Sequence, residues 1–240
     1  MIQLGKIDIK SLTTHTFKVN EAQKAYDLIT GKGEEPYLGI LLEYPARIDE
    51  LKRTITIDEK HEPKSSVRIG FVGAGKFAQN FLLPPVKEED VDFIGVSTTS
   101  PTNAQTVARQ YGFRTATTDS SELIANSDVN TVFCATRHDT HAKYVIEAVK
   151  AGKPVFVEKP LAVNIDELRE IVSAAEGKDA RIMVGFNRRF SGSFRAIANF
   201  FANSAGPKSM IYRVNAGAIP ADHWIQSPEH GGRIIGEACH

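Results

Sequence analysis

Apolar positions along this chain gather into short dense runs separated by longer stretches of mixed texture. VRIGFV (67–72), DFIGVST (92–98), NTVFCAT (130–136), PVFVE (154–158) and RIMVGF (181–186) are brief, β-favouring and bounded by turn residues. Runs that short, apolar on both faces, predict strands buried on both sides. Between them AQTVARQYG (104–112) and HAKYVIEAVKAG (141–152) place apolar residues at helical spacing, the second closed by Gly152. We number NTVFCAT as the fourth strand, after a short connection, and PVFVE as the fifth. Strands alternating with helices pair in parallel, so the predicted class is α/β with a doubly wound parallel sheet.

The first 45 residues read differently. Asn20 followed by Gln23 predicts a capping box for a helix through EAQKAYDLIT, with Gly31 as its stop, and YLGILLEY predicts a strand ended by Pro45. One helix and a strand or two bury too little surface to stand alone, so residues 1–45 need a partner. Residues 46–66, ARIDELKRTITIDEKHEPKSS, are charge-dense and end in a Pro/Ser stretch, which reads as a linker.

Chemistry enters directly after VRIGFV. GAGKFA sets Gly73, Gly75 and Ala78 in G-x-G-x-x-A spacing, with Lys76 and Phe77 at the start of the following helix. Such a turn lets Gly73 leave the strand tightly, lets the backbone at Gly75 approach a pyrophosphate, and lets Ala78 sit close to the sheet. A dinucleotide would then rest its phosphates on the helix N-terminus. The second strand ends in Ser97, Thr98 and Thr99, where a carboxylate would ordinarily hold the ribose hydroxyls. Without that carboxylate NADP is admissible beside NAD and slightly favoured, and the hydroxyls of Ser97 and Thr98 either bind the cofactor or merely finish the strand.

VFVEKP (155–160) closes the fifth strand with an acid and a base side by side. Ligands of open α/β sheets lie outside the carboxyl ends of the strands, which puts this segment at the cleft. Alternation along a strand predicts Glu158 and Lys159 on opposite faces, with one facing the cleft. Pro160 fixes how the chain departs. Asn187, Arg188 and Arg189 follow RIMVGF and should emerge at the same edge, as substrate donors or as partners in structural ion pairs. Tyr212, Arg213, His223 and Trp224 are left out of the predicted site.

Composition removes alternatives. With 29 basic and 29 acidic residues there is no electrostatic case for nucleic acid. No apolar run is long enough for a membrane span, and MIQLGKIDIK is too polar for a signal peptide, so a cytoplasmic protein is expected. Cys134 and Cys239 are too few for a disulfide framework and lack metal-ligand spacing, so no metal site is expected.

These motifs together carry a resemblance. ATRHDTHAKYVIEAVKAGKPVFVEKPLA (135–162) resembles a pattern in which T-P-x-x-x-H opens a helix and A-G-K-x-V-x-x-E-K-P ends the next strand, and GFNRRF (185–190) resembles the strand end that follows. With GAGKFA, residues 67–240 are similar to the Gfo/Idh/MocA family of sugar, polyol and inositol oxidoreductases. The resemblance implies a Rossmann domain over 67–186 and, over 187–240, the truncated start of an α/β domain whose open sheet covers the site and often forms a homo-oligomer. It implies that Lys159 binds substrate and assists proton transfer, that Thr136, His141 and Glu158 lie near the cofactor, and that the Lys159–Pro160 peptide is cis. His240 matches a catalytic histidine, although Gly236 stands where its aspartate partner is expected and Glu237 comes one step later. A second departure is Arg137, where relatives carry proline. Separately, LGKIDIKSLTTHTFKVNEAQKAYDLITGKG (4–33) resembles the end of a medium-chain zinc-type alcohol dehydrogenase, as in a two-enzyme fusion. The implied activity is NAD(P)-dependent oxidation or reduction at a hydroxyl of a sugar, nucleotide sugar or polyol, with Lys159 and His240 as the working groups; the alternative is a non-catalytic NAD(P)-binding sensor or scaffold.

Overall fold

The computed structural model describes residues 10–32, 35–44, 53–58, 64–213, 215 and 217–232. The chain divides into two compact units, Met1–Lys52 and Arg53–His240. In the first, β1 (Thr13–Lys18) and β2 (Gly39–Glu43) pair in parallel and are connected through α1 (Ala22–Ile29). Its buried apolar residues among those described are Ala25 and Leu28, which fits the expectation that this segment holds little core of its own. Gly31, at φ 76°, follows the helix end as predicted. The capping box does not form. Val19–Glu21 already winds as a 3-10 turn, so Asn20 lacks the extended backbone a cap requires, and Gln23 Nε2 donates instead to Asp27 Oδ1 at 3.1 Å.

The second unit is built on a seven-stranded sheet. Its strands are β3 (Thr54–Thr56), β4 (Arg68–Val72), β5 (Asp92–Ser97), β6 (Thr115–Thr117), β7 (Thr131–Cys134), β8 (Val155–Glu158) and β9 (Ile182–Gly185). They lie in the order β3-β6-β5-β4-β7-β8-β9, all parallel except β3, which runs antiparallel to β6. Apart from β3, the chain steps outward from β4 to β6, then returns to build β7 to β9 on the other side. That reversal is the doubly wound pattern, and it opens a crevice where the loops after β4 and β7 part. The register sets Val72 beside Ser97 and Cys134, Cys134 beside Val157, and Glu158 beside Gly185, so the strand ends form one rim.

Helices cover both faces. A π-type turn over Ala78–Leu82 runs into α2 (Leu83–Lys87), and with α3 (Pro101–Tyr111) it packs Ala78, Leu83, Val107 and Ala108 on Phe71 and Val96. On the other face α4 (Ser120–Ala125), α5 (His141–Lys150) and α6 (Ile165–Ala175) pack Leu123, Val145, Val149 and Ile171 on Val132 and Val157. Each fully buried Val, Leu, Ile or Phe is worth about 1.5–3 kcal/mol, so the two layers fix the strand ends firmly.

Four elements do not follow from the pattern. β3 lies inside the stretch taken as a linker, and Ile57 N–H donates to the Arg114 carbonyl to extend that edge. β6 and α4 fill the connection before β7, with Asp119 Oδ1 capping α4 through Glu122 N–H at 3.0 Å. α6 starts on an Asn164 cap of the same kind, its Oδ1 accepting from Glu167 N–H at 2.9 Å. After β9 come a 3-10 turn over Asn187–Phe190, the exposed helix α7 (Gly192–Phe201) and short turns at Trp224–Gln226 and Pro228–His230. None of the described helices is long and apolar enough to cross a membrane.

Candidate functional site

β4 delivers Gly73 to the sheet's rim with φ +85°, its N–H bonded to the Ser97 carbonyl at 2.9 Å. A Cβ there would lie 2.6 Å from Thr136 Cγ2 and 2.7 Å from the Ala135 oxygen, so this glycine is demanded by the close crossing of the loops after β4 and β7. Gly75 is different, since a Cβ would meet nothing within 4 Å. No packing explains it, and its open side is what close approach of a ligand to the backbone requires. Ala78 is buried against the core, as the motif predicts. Lys76 and Phe77 stay exposed, and the Phe77 ring lies 5.3 Å from Phe81.

A cavity of about 350 Å³ opens at the rim. Phe77 lines it from the glycine turn, Ala135, Thr136, His138 and His141 from the segment after β7, Glu158 and Lys159 from the end of β8, Asn187 and Arg188 from the segment after β9, and Trp224 from further along the chain. The structure thus brings together seven of the predicted site residues: Phe77, Thr136, His141, Glu158, Lys159, Asn187 and Arg188. Gly73 adjoins them through Thr136. His240 lies outside the described residues.

His141 is wholly buried at the start of α5, with Nδ1 2.7 Å from the Pro160 oxygen and Nε2 3.2 Å from the Thr136 oxygen. Burial holds its pKa below the ordinary value against the upward pull of those carbonyls, so the ring is neutral, and the shorter contact assigns the proton to Nδ1. Glu158 is also buried. Desolvation pushes its pKa up, opposed by the Lys159 N–H that reaches Oε2 at 3.3 Å and by the Lys159 charge. A Cβ at residue 185 would come 2.9 Å from Glu158 Oε1, so glycine in β9 makes room for the carboxylate.

Glu158 and Lys159 both line the cleft, where one of them was expected to face it. Lys159 follows the last residue of β8, where alternation no longer governs direction. The Lys159–Pro160 peptide is cis, as the resemblance implied. Arg137, in the place of the family's proline, adopts φ −74° and ψ 152°, which a proline would also adopt. The turn therefore keeps its path while gaining a guanidinium.

That guanidinium lies 5.8 Å from the Trp224 ring centroid, and the His138 ring meets Trp224 edge-on at 5.2 Å. His138 Nδ1 is 3.2 Å from the His230 oxygen, and His230 Nδ1 is 2.9 Å from Asp139 Oδ1 without hydrogen-bond alignment. The segment around 223–230 is thus folded onto the turn after β7. His138 and Trp224 were missed as site residues; the HDTH and HW pairs are visible in sequence, but nothing local brings them together.

The strand-end hydroxyls are already engaged. Ser97 is buried with Oγ 2.9 Å from Ser120 Oγ, and Thr98 Oγ1 donates to the Ser100 oxygen at 2.7 Å. Arg188 donates to Tyr212 Oη at 3.2 Å. The buried Cys134 thiol is pushed up to about 11 by desolvation, which leaves it unreactive. No cluster of metal ligands occurs among the described residues.

A family model described as an oxidoreductase family with an NAD-binding Rossmann fold, Gfo/Idh/MocA, matches residues 67–186. Inositol 2-dehydrogenase of Rhizobium meliloti is 33% identical over 132 residues, covering 55% of this chain and 39% of the relative. The 1,5-anhydro-D-fructose reductase of Ensifer adhaerens is 28% identical over 174 residues, covering 70% of this chain and 52% of the relative. A solved levoglucosan dehydrogenase, in complex with NADH and levoglucosan, aligns with a TM-score of 0.51 at 27% identity over 57% of this chain and 39% of the other. The chain therefore spans about two-fifths to one-half of the length of these proteins.

Proposed function

Because the chain belongs to the Gfo/Idh/MocA oxidoreductase family with an NAD-binding Rossmann fold, we propose that it binds NAD or NADP on the Gly73–Ala78 turn and serves hydride transfer at a hydroxyl of a sugar or polyol. The observation that carries this reading is the convergence of Phe77, next to the glycine turn, and Lys159, at the tip of β8, on one cavity beside the sheet's reversal. A nicotinamide bound there supplies the hydride acceptor or donor. Lys159 orients the substrate oxygen and relays its proton, while Asn187 and Arg188 donate to further hydroxyls or to an anionic substituent. Glu158 stays desolvated behind them. Neutral His141 holds the Pro160 carbonyl through Nδ1 and does no proton chemistry itself.

The relatives' names, an inositol dehydrogenase, an anhydrofructose reductase and a levoglucosan dehydrogenase, support a cyclic polyhydroxy substrate. The finished hydrogen bonds of Ser97 and Thr98 give NADP no built selector, so both cofactors are proposed. The acid/base role stays assigned to His240, homo-oligomer formation to the second domain, and residues 1–45 to the close of a preceding dehydrogenase, a reading its parallel strand–helix–strand unit supports.

Fluorescence titration with NADH and NADPH tests the first step. Binding of either in the micromolar range, with Lys159→Ala keeping that affinity but losing turnover on a panel of polyols and aldose sugars, is the expected result. A chain that binds neither cofactor, or a fully active Lys159→Ala, overturns the proposal.

A further inference from the structure

The turn between Gly73 and Gly75 is held from behind by two side-chain amides. Gln79 Nε2 donates to the Ala74 carbonyl oxygen at 2.8 Å, and Asn103 Nδ2 donates to the same oxygen at 3.2 Å. The two donors belong to different elements, one in the helical turn after the glycines and one in the first turn of α3. Together they occupy both lone pairs of that oxygen. Each donor is itself anchored: Tyr111 Oη donates to the Gln79 carbonyl at 2.7 Å, and Asn103 N–H donates to Ser100 Oγ at 3.3 Å.

The Ala74–Gly75 peptide is trans, since the cis bond of the described chain is Lys159–Pro160. In a trans peptide the C=O and N–H point in opposite directions. Fixing the Ala74 oxygen toward Gln79 and Asn103 therefore aims the Gly75 N–H the other way, and a Cβ on Gly75 would meet nothing within 4 Å. The rest of the turn is fixed too, with Gly73 N–H on the Ser97 oxygen and the Gly75 oxygen accepting from Gln79 N–H at 3.0 Å. The Gly75 N–H itself has no acceptor among the described residues.

We infer that Gln79 and Asn103 are positioning residues for cofactor binding: they orient the Ala74–Gly75 peptide so that the Gly75 N–H is presented, ready-formed, to the pyrophosphate of a dinucleotide. This rests on the cofactor reading above. It adds that the anion-binding geometry of this turn is set by a carbonyl clamp reaching across from α3, and not by the glycines alone. Asn103 thereby ties the helix after β5, where the adenosine ribose would lie, to the turn that holds the phosphates.

The test uses the intact chain and four variants, Gln79→Glu, Asn103→Asp, Gln79→Ala and Asn103→Ala. The acidic pair keeps the shape and removes the donor, setting oxygen against oxygen. Titrations with NADH and with ADP-ribose, which shares the pyrophosphate and lacks the nicotinamide, are run beside thermal melts without ligand. Loss of one hydrogen bond predicts Kd raised about 3- to 10-fold in the alanine variants. The acidic variants lose more. The same fold-change is expected for NADH and ADP-ribose. If the wild-type chain binds neither ligand, the cofactor reading fails and this inference with it. If it binds and all four variants stay within 2-fold, the clamp alone is overturned. A loss confined to NADH, or one that merely tracks melting temperature across the variants, overturns it as well.

Discussion

His141 Nδ1 stands 2.7 Å from the carbonyl oxygen of Pro160, so the first residue of α5 holds the residue that follows Lys159. The lysine's place in the cleft therefore depends on a side chain from another strand–helix unit. His141→Ala removes a buried ring and leaves the Pro160 carbonyl without its donor. It should lower unfolding free energy by about 2–4 kcal/mol, measured by urea denaturation. His141→Asn, which can still donate, should recover part of that; equal losses in both variants would contradict the Pro160 contact as the source.

Two of the buried titratable groups of the site, His141 and Glu158, push stability in opposite directions with pH. His141 has a folded pKa below its ordinary 6.5, because burial disfavours the imidazolium. The native state then binds fewer protons than the unfolded state, so this contribution is present above pH 6.5 and is lost as pH falls through the folded value. Glu158 has a folded pKa above its ordinary 4.5, again through burial. Its contribution is complete below pH 4.5 and is lost as pH rises through the folded value. Relative to the parent chain, Glu158→Gln should gain stability as pH rises above 4.5, whereas His141→Asn should flatten the decline below 6.5. Unfolding free energies taken across pH 4 to 8 check both slopes, and parallel curves for parent and variant would remove that residue from the linkage.

The two glycines of the turn should separate fold from binding. Gly73→Ala meets Thr136 and Ala135 at under 3 Å from a backbone with φ +85°, which predicts destabilisation on the order of 2–4 kcal/mol. Gly75→Ala meets nothing. Its melting temperature should match the parent's within about 2 °C, given a stability change under ~0.5 kcal/mol, while its affinity for NADH falls about 10-fold or more, as expected where a methyl group intrudes on a backbone–phosphate approach. A Gly75→Ala chain that binds NADH normally would argue against the pyrophosphate lying there.

What could be read from the sequence was whatever announces itself locally. The five apolar runs, the glycine turn and the VFVEKP strand end each carry their physics within a few residues, and each sits where expected. β3 was hidden because Thr54–Thr56 is only three residues in a charged stretch, and it becomes a strand by pairing with β6. The Gln23 side chain bonded forward to Asp27 for the opposite reason: a local motif was present, but the backbone had already begun to wind. Trp224 and His138 were missed because their contact joins distant parts of the chain, and no periodicity encodes it. The clamp on Ala74 is hidden in the same way, since Asn103 looks like one more polar residue in the first turn of a helix.

Trp224 is the single tryptophan of the chain and lines the cleft, so its emission should report directly on what enters. Binding of NADH should quench tryptophan fluorescence through energy transfer to the reduced nicotinamide, and Trp224→Phe should abolish the signal with only a small change in affinity. The guanidinium of Arg137 lies over the indole, and a stacked cation of this kind is worth about 0.5–1 kcal/mol when exposed. Arg137→Pro fits the observed backbone at φ −74° and ψ 152°, so it should fold while releasing that contact. Its emission should then shift toward that of a more solvated indole before any ligand is added. An unshifted spectrum in Arg137→Pro, or unquenched emission when the parent is saturated with NADH, would place Trp224 away from both the turn and the cofactor.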